Sequence, residues 1–244
     1  MTDATAPVLY GVGVGPGDPE LVTLQGIRVL REAEVVFVPV ADTGEQGRAE
    51  RILMAHVTQA PRRLVFALTD ESARDGAWDA AGREVADAFA AGSRSVAFAT
   101  IGDPNIYSTF TYLAATVQAL VPGLRIATVP GITAMQSLAA TSGTVLVEGR
   151  ESLALMPLTA GVERLRAALE THDSVVAYKG GRVLPEVLEA VRAAGRIEGA
   201  VVGSALGMPG EDIREASDVD PEHRAPYLST LLVVPKRSRR GGAL

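Results

Sequence analysis

Short runs of β-branched and other apolar residues alternate along this chain with longer, alanine-rich amphipathic segments. Strand-like runs lie at residues 8–14, 35–38 and 96–100, for example. Between residues 76 and 91, apolar side chains recur at helical spacing and a glycine follows where a helix would end. Alternating strands and helices are typical of α/β proteins, in which helices connect neighbouring strands of a sheet. The sequence therefore predicts an α/β fold.

The same pattern predicts two domains. Five strand-like runs are complete before Pro130, and a second set begins after it. We expect an N-terminal α/β domain over residues 1–130 that contains a glycine-rich loop, and a C-terminal α/β domain over residues 131–235. The last stretch, 236–244, holds four basic residues and two glycines, so we expect it to be a flexible basic tail.

Composition excludes several classes of function. The chain of 244 residues has no cysteine, so it contains no disulfide, thiolate metal site or thiol nucleophile, and its three histidines leave little room for a metal site. A net charge of −6 disfavours a nucleic-acid partner. Residues 1–7 carry no Lys or Arg, and the apolar run that follows is short and rich in glycine, which predicts neither a signal peptide nor a membrane span. We expect a cytoplasmic protein.

A glycine-rich turn directly follows the first strand. Gly11, Gly13, Gly15 and Gly17 surround Pro16 in this turn. Glycine allows backbone groups to approach a ligand closely, and ligands of α/β proteins gather at the carboxyl ends of strands. Pro16 removes an amide and disfavours the dinucleotide-binding fingerprint G-x-G-x-x-G. A tight turn without a ligand remains the alternative.

Two further strands end in polar or glycine-containing loops. After the strand at 96–100, a carboxylate and three hydroxyls follow in the order Asp103, Tyr107, Ser108 and Thr109, which is more polarity than a helix cap needs. The fifth strand ends in the segment V-P-G-I-T-A at 129–134. A cap at Asp103 and a plain interdomain turn at 129–134 are the structural alternatives. Three such loops at strand ends together favour one shared binding site.

At these positions the chain resembles the tetrapyrrole methylase family, the class III methyltransferases that use S-adenosylmethionine. The resemblance rests on G-V-G-P-G-D-P at 13–19, G-D-P-N-I-Y-S-T at 102–109, P-G-I-T-A at 130–134 and L-x-x-A-E-V-V-F-V-P at 30–39. These motifs follow in the family's order across nearly the whole chain.

Two other segments are similar to one branch of the family. Y-S-T-F-T-Y-L at 107–113 and V-E-G-R-E-S-L-A-L-M-P at 147–157 resemble the branch that methylates C20 of precorrin-2, or of its cobalt-containing counterpart, in corrin synthesis. The resemblance implies two α/β domains with mixed sheets, S-adenosylmethionine as cofactor in a cleft between them, a small tetrapyrrole substrate and a homodimer. It implies no metal site of the protein's own and no membrane partner.

The resemblance also implies which residues bind the cofactor. Lys179 occupies a position where relatives often carry methionine, and Ala205 one where they often carry glycine, so contacts there are compatible with backbone groups. The full cofactor set implied is Pro16, Gly102, Asp103, Ile106, Thr133, Ala134, Lys179 and Ala205.

Methyl transfer from a sulfonium needs positioning and exclusion of water more than it needs a nucleophile or a metal. Asp103 is the first candidate to accept a proton, although binding of the cofactor alone would also explain an aspartate at this position. Tyr107 is a candidate to orient the macrocycle, and the alternative is a tyrosine that only packs in the core. Arginine suits the substrate's carboxylates, although each arginine alone is more often a surface residue. The candidate substrate-binding residues are Arg48, Arg51, Tyr107, Ser108 and Arg150.

Two other functions remain open at this stage. A relative with the same fold could methylate another acceptor: a different corrinoid carbon, uroporphyrinogen III, a protein or an RNA. A different class of function is a non-catalytic module that binds a tetrapyrrole or a nucleotide. The residues do not distinguish a metal-free substrate from one that already holds cobalt.

Overall fold

Runs of valine, leucine and phenylalanine build a five-stranded sheet from the first half of the chain. A computed structural model describes residues 6–42, 44–66, 71–220 and 223–237. The chain divides into two units, Met1–Thr133 and Ala134–Leu244. In chain order, the elements of the first unit are β1 (Val8–Gly13), α1 (Leu24–Glu32), β2 (Val35–Val40), α2 (Arg48–Met54), β3 (Arg62–Val65), α3 (Glu71–Ala90), β4 (Ser95–Thr100), α4 (Phe110–Leu120) and β5 (Arg125–Val129).

The first sheet has the strand order β3-β2-β4-β1-β5, and each of its four pairings is parallel. Apolar cores cover both of its faces. Along β4, Val96 and Phe98 belong to one core while Ala97 and Ala99 belong to the other. This arrangement agrees with the near-continuous apolar runs of parallel strands that are buried on both sides. Since the strands are parallel, their carboxyl ends lie at one edge.

In chain order, the elements of the second unit are α5 (Ala134–Ser142), β6 (Leu153–Pro157), α6 (Glu163–Thr171), β7 (Ser174–Tyr178), α7 (Leu184–Ala193), β8 (Ala200–Ser204), β9 (Asp212–Glu215) and β10 (Ser229–Val233). Its sheet is mixed and has the order β6-β7-β10-β8-β9. Strands β6 and β7 are parallel, whereas β10 runs antiparallel to both of its neighbours, β7 and β8, and β9 runs antiparallel to β8. One apolar core packs the helices against it, with Leu165, Val175 and Leu188 buried.

The predicted α/β fold is confirmed, and mixed strand pairing occurs in the second sheet while the first is parallel throughout. The structure also contains strand β9, which the apolar pattern does not predict because its sequence is polar. Of the helices that the structure describes, none has the length and apolar character needed to cross a bilayer.

The first two residues of the expected flexible tail are held in place. Lys236 Nζ lies 2.7 Å from Glu198 Oε2. Arg237 donates through Nη1 to the carbonyl of Val145 at 2.8 Å and through Nη2 to Glu151. Both residues thus contact acidic partners far away in sequence, and the flexibility of the tail stays a prediction. Residues 238–244 lie outside the described residues.

Candidate active site

Three loops of the first unit meet at the carboxyl edge of its sheet, because β1 lies between β4 and β5. The loop after β1 pairs with the loop after β4: Gly102 N donates to the carbonyl of Gly15 at 2.7 Å, and Val14 N donates to the carbonyl of Thr100 at 2.9 Å. Gly15 and Gly102 form an isolated antiparallel bridge. The structure thus brings together the loops that the sequence motifs identify.

Three glycines, one from each loop, come into direct backbone contact. A Cβ atom built on Gly13 would lie 2.5 Å from the carbonyl oxygen of Gly102 and 2.7 Å from Cα of Gly131. A Cβ atom on Gly131 would overlap the same carbonyl oxygen. Because real Cβ atoms do not approach other atoms so closely, neither position has room for a side chain. The motifs carry glycine here because the backbones touch.

Asp103 fastens the loop after β4 to the loop after β5. Its Oδ2 accepts a hydrogen bond from Gly131 N at 3.0 Å, and its Oδ1 accepts one from Asn105 N at 2.8 Å. A carboxylate offers about four acceptor positions, so these two bonds leave capacity for a ligand. Asn105, which is not among the predicted site residues, links the same loop to β5 itself by donating from Nδ2 to Thr128 Oγ1 at 3.3 Å.

Tyr107 and Ser108 complete the loop after β4. The backbone of Tyr107 is left-handed, with φ of 49°, and 42% of the residue is exposed. Partial burial raises the pKa of its phenol. The Ser108 hydroxyl accepts from Phe110 N at 3.1 Å at the start of α4 and lies 3.0 Å from the hydroxyl of Thr100. Ser108 thus has a structural task besides any contact with a substrate.

Arg48 lies at the same edge, because α2 begins shortly after the carboxyl end of β2. Arg48 is half-buried, and burial together with the neighbouring charge of Arg51 lowers its pKa. Glu50, between them in sequence, is buried and forms a bidentate pair with Arg63, with N to O distances of 2.9 Å for both contacts. This carboxylate is therefore held by β3.

In the second unit, Lys179 and Ala205 also lie together at one sheet edge. They directly follow β7 and β8, the two strands on either side of β10. Lys179 N donates to the carbonyl of Ser229 at 3.1 Å, and Ser229 pairs with Ser204 across the sheet. Both candidates therefore flank the first residue of β10.

Left-handed backbone is concentrated at these loops. Among the described non-glycine residues, those with positive φ are Tyr107 at 49°, Lys179 at 62° and Ala205 at 50°. Such a conformation costs energy in a residue with a Cβ atom, and it is typical of ligand-binding and catalytic loops. All three residues belong to the set that the sequence analysis selects.

Arg150 is not brought to this edge of the second sheet. Two residues after it, Ser152 donates from its backbone N to Asp173 Oδ2 at 2.8 Å, just before β7 begins. Lys179 lies at the other end of β7, and a strand of five residues spans about 17 Å. The segment that directly follows Arg150 thus lies at the amino end of β7, and the role of Arg150 as a substrate-binding residue stays a prediction.

The remaining candidates lie within or beside the loops. Pro16 and Thr133 are buried, and Ile106 N donates to the carbonyl of Asp103 at 3.3 Å within a tight turn. Ala134 is the first residue of α5, and the next amide, Met135 N, donates to the Tyr178 hydroxyl at 3.1 Å. This contact attaches the start of α5 to the carboxyl end of β7.

Residues 8–218 match the family of Tetrapyrrole (Corrin/Porphyrin) Methylases. The chain belongs to this family. The resemblance inferred from the loop motifs is therefore confirmed, and the loops described above are those of a tetrapyrrole methylase.

Several tetrapyrrole methylases are similar to this chain over most of its length. Cobalamin biosynthesis protein CobIJ of Mycobacterium tuberculosis is 34% identical over 95% of this chain, which spans only 46% of that longer protein. The precorrin-2 C(20)-methyltransferase of Sinorhizobium sp. is 32% identical over 92% of this chain and 94% of its own length. Among solved structures, the cobalt precorrin-4 methyltransferase CbiF has the same fold, with a TM-score of 0.70 and 22% identity over 93% of this chain and 94% of its own.

The glycine contact at the loop junction gives a first prediction. Gly131→Ala should lower the free energy of unfolding by about 1 to 3 kcal/mol, because the new methyl group overlaps the carbonyl oxygen of Gly102 and forces the loops apart. Thermal and denaturant unfolding of the whole chain would measure the change.

Gly76→Ala is the matched control. A Cβ atom at Gly76, on α3, meets no described atom within 4 Å, so this variant should be as stable as the wild type or more stable, since alanine favours a helix. Equal stability of both variants and the wild type would contradict the close contact of the three loops.

Proposed function

We propose that this protein transfers a methyl group from S-adenosylmethionine to C20 of precorrin-2 or of its cobalt-containing counterpart. One observation carries the proposal: the precorrin-2 C(20)-methyltransferase of Sinorhizobium sp. matches this chain over nearly the whole length of both. The cobalt-precorrin-2 C(20)-methyltransferase of Salmonella typhimurium, at 29% identity over 92% of this chain, supports the same reaction on the cobalt-containing substrate.

The loop after β4 is suited to hold the amino-acid part of the cofactor. A Cβ atom built on Gly102 meets no described atom within 4 Å, so space beside this backbone is open. The Asp103 carboxylate keeps free acceptor positions that fit an ammonium group. A uroporphyrin-III C-methyltransferase of Thermus thermophilus, which shares the fold with a TM-score of 0.65, was solved with S-adenosylhomocysteine. When bound, S-adenosylmethionine supplies an electrophilic methyl group on a positively charged sulfur.

In this proposal the residues of the protein position the reactants and supply a charged carboxylate. Asp103 holds the cofactor, and Pro16, Ile106 and Thr133 shape the surrounding loops. The bonds from Gly131 N and Asn105 N fix the position of the Asp103 carboxylate. Such a carboxylate is a positioned base for the proton that C20 loses after it gains the methyl group. Aligned reactants account for several kcal/mol of barrier lowering, roughly 7 to 11 in the best intramolecular cases.

Arg48 and Arg51 are suited to bind the carboxylates of a tetrapyrrole. Burial and the neighbouring charge of Arg51 lower the pKa of Arg48, so a bound anion would relieve both effects on Arg48. Glu50 does not lie between them and a ligand, because Arg63 holds it. Tyr107, partly exposed at the same edge, offers a ring surface on which a flat macrocycle can pack. Arg150 has no part in this proposal.

The test is product formation with purified protein and labelled S-adenosylmethionine. We expect one methyl group on precorrin-2 or cobalt-precorrin-2, detected by mass spectrometry and located at C20 by NMR. Uroporphyrinogen III serves as the competing acceptor. Transfer to uroporphyrinogen III alone, or to a carbon other than C20, would overturn the assignment, and tetrapyrrole binding without transfer would favour a non-catalytic module.

Asp103→Ala should weaken the affinity for S-adenosylhomocysteine roughly tenfold or more, since a charge-assisted hydrogen bond contributes about 1.5 to 3 kcal/mol. Calorimetry would measure this affinity, and turnover should fall with it. Asp79→Ala is the control, because Asp79 is an exposed carboxylate on α3 that pairs with Arg83. Unchanged cofactor affinity in the Asp103 variant would remove this residue from the site.

Arg48→Gln should raise the KM for the tetrapyrrole about tenfold and leave the affinity for S-adenosylhomocysteine unchanged, because the lost charge faces substrate carboxylates. Steady-state kinetics at several salt concentrations would measure KM, and the wild-type value should depend more steeply on salt. Arg28→Gln on α1, an exposed partner of Glu32, is the control. A wild-type KM in the Arg48 variant would show that other residues bind the substrate.

A further inference from the structure

His56 connects the end of α2 to the loop after β1. It lies just beyond Met54, the last residue of α2, and its Nε2 atom is 2.7 Å from the carbonyl oxygen of Pro19. A carbonyl oxygen only accepts hydrogen bonds, so Nε2 carries the hydrogen atom and is the donor. This bond is shorter than the one from Val22 N, which donates to the same oxygen at 3.3 Å. The imidazole thus joins two segments that lie 37 positions apart in the chain.

The acceptor of this bond belongs to a turn that supports the glycine-rich loop, the single 3₁₀ turn Pro19–Leu21. A Cβ atom built on Gly15 would lie 3.0 Å from the carbonyl oxygen of Leu21, so the turn packs directly against Gly15. Gly15 accepts the hydrogen bond from Gly102 N that joins the loops after β1 and β4. The bond from His56 therefore fixes the turn against which this loop junction packs.

The backbone of His56 is itself held on both sides. Its N donates to the carbonyl of Leu53 at 2.9 Å, which continues the last turn of α2. Its carbonyl accepts from Arg31 Nε, on α1, at 2.9 Å. The residue is half-buried. Because both backbone groups are bound, the imidazole starts from a fixed point and keeps the turn at a defined distance from α2.

We propose that His56 is a positioning residue for the cofactor: its hydrogen bond to Pro19 keeps the glycine-rich loop where Gly15 can bind Gly102. This inference rests on the proposed function, in which the loops after β1 and β4 hold S-adenosylmethionine. His56 acts through the loop and not on the reactants. Loss of its N–H donor should therefore weaken cofactor binding without removing any group that binds the cofactor.

Three substitutions of His56 test the donor. His56→Leu removes it. His56→Gln restores it, because the amide nitrogen of glutamine is as many bonds from the backbone as Nε2 and also donates. His56→Asn carries the same amide one carbon nearer to the backbone, too far from Pro19 for a hydrogen bond. Calorimetry with S-adenosylhomocysteine, well below the unfolding temperature of each variant, would measure the affinities.

We expect His56→Leu and His56→Asn to weaken the affinity for S-adenosylhomocysteine about fivefold, the effect of one neutral hydrogen bond. The glutamine variant should stay within twofold of wild type. His172→Leu is the matched control with wild-type affinity, because His172 is an exposed imidazole whose Nδ1 lies 2.9 Å from the hydroxyl of Thr171. The proposal is overturned if His56→Leu lowers only the melting temperature, or if the glutamine and asparagine variants bind alike.

Nitrogen NMR of the imidazole gives a readout that does not depend on affinity. The chain has three histidines, so His172→Leu and His223→Gln would assign the signals of His56. We expect the neutral ring to carry its hydrogen atom on Nε2, and a hydrogen atom on Nδ1 would overturn the proposal. Wild-type protein that binds S-adenosylhomocysteine but methylates neither tetrapyrrole would count against the proposed function alone.

Discussion

The close approach of three backbones at the end of the first sheet determines the geometry of the candidate site. Gly13, Gly102 and Gly131 touch without intervening side chains, and the Asp103 carboxylate joins two of the three loops. Gly102 has a φ of 67°, in the left-handed region, and Gly13 and Gly131 lie outside that region. Gly13 and Gly131 are thus required because a side chain has no room there, whereas Gly102 is required by its backbone conformation. The loops can meet only because the strands that precede them are parallel neighbours.

The strain at the strand ends has the same physical origin in both units. A strand that ends in a regular turn needs glycine or asparagine where the chain turns left-handed, but here Tyr107, Lys179 and Ala205 take that conformation. Each costs on the order of 1 kcal/mol or more, which the surrounding hydrogen bonds must offset. The bond from Lys179 N to Ser229 and the cap formed by Ser108 are two of these bonds. The strained conformation is therefore kept at a cost in stability.

Local patterns were sufficient to predict the α/β fold and the loops at the first sheet edge, because apolar runs and glycine spacing are features of consecutive residues. Features that depend on distant partners were not predictable in this way. Strand β9, with the polar sequence D-I-R-E, joins the sheet through backbone pairing with β8. Arg237 is anchored by Glu151, which lies 86 residues earlier. Arg150 lies in a segment that resembles a functional branch, yet only the strand order reveals at which edge that segment lies.

An acidic protein can bind an acidic substrate because the field at a site depends on nearby charges. At physiological salt, charges further away than about 8 Å are largely screened, so the net charge of −6 has little influence at the loops. What matters is that Glu50, within the same helix turn as Arg48 and Arg51, is held by Arg63 in a buried bidentate pair. The acidic side chain of α2 thus has a partner on β3. Had Glu50 paired with Arg48 instead, a substrate carboxylate would have to displace a partner already in place, and the gain from binding would fall by much of that pair's energy.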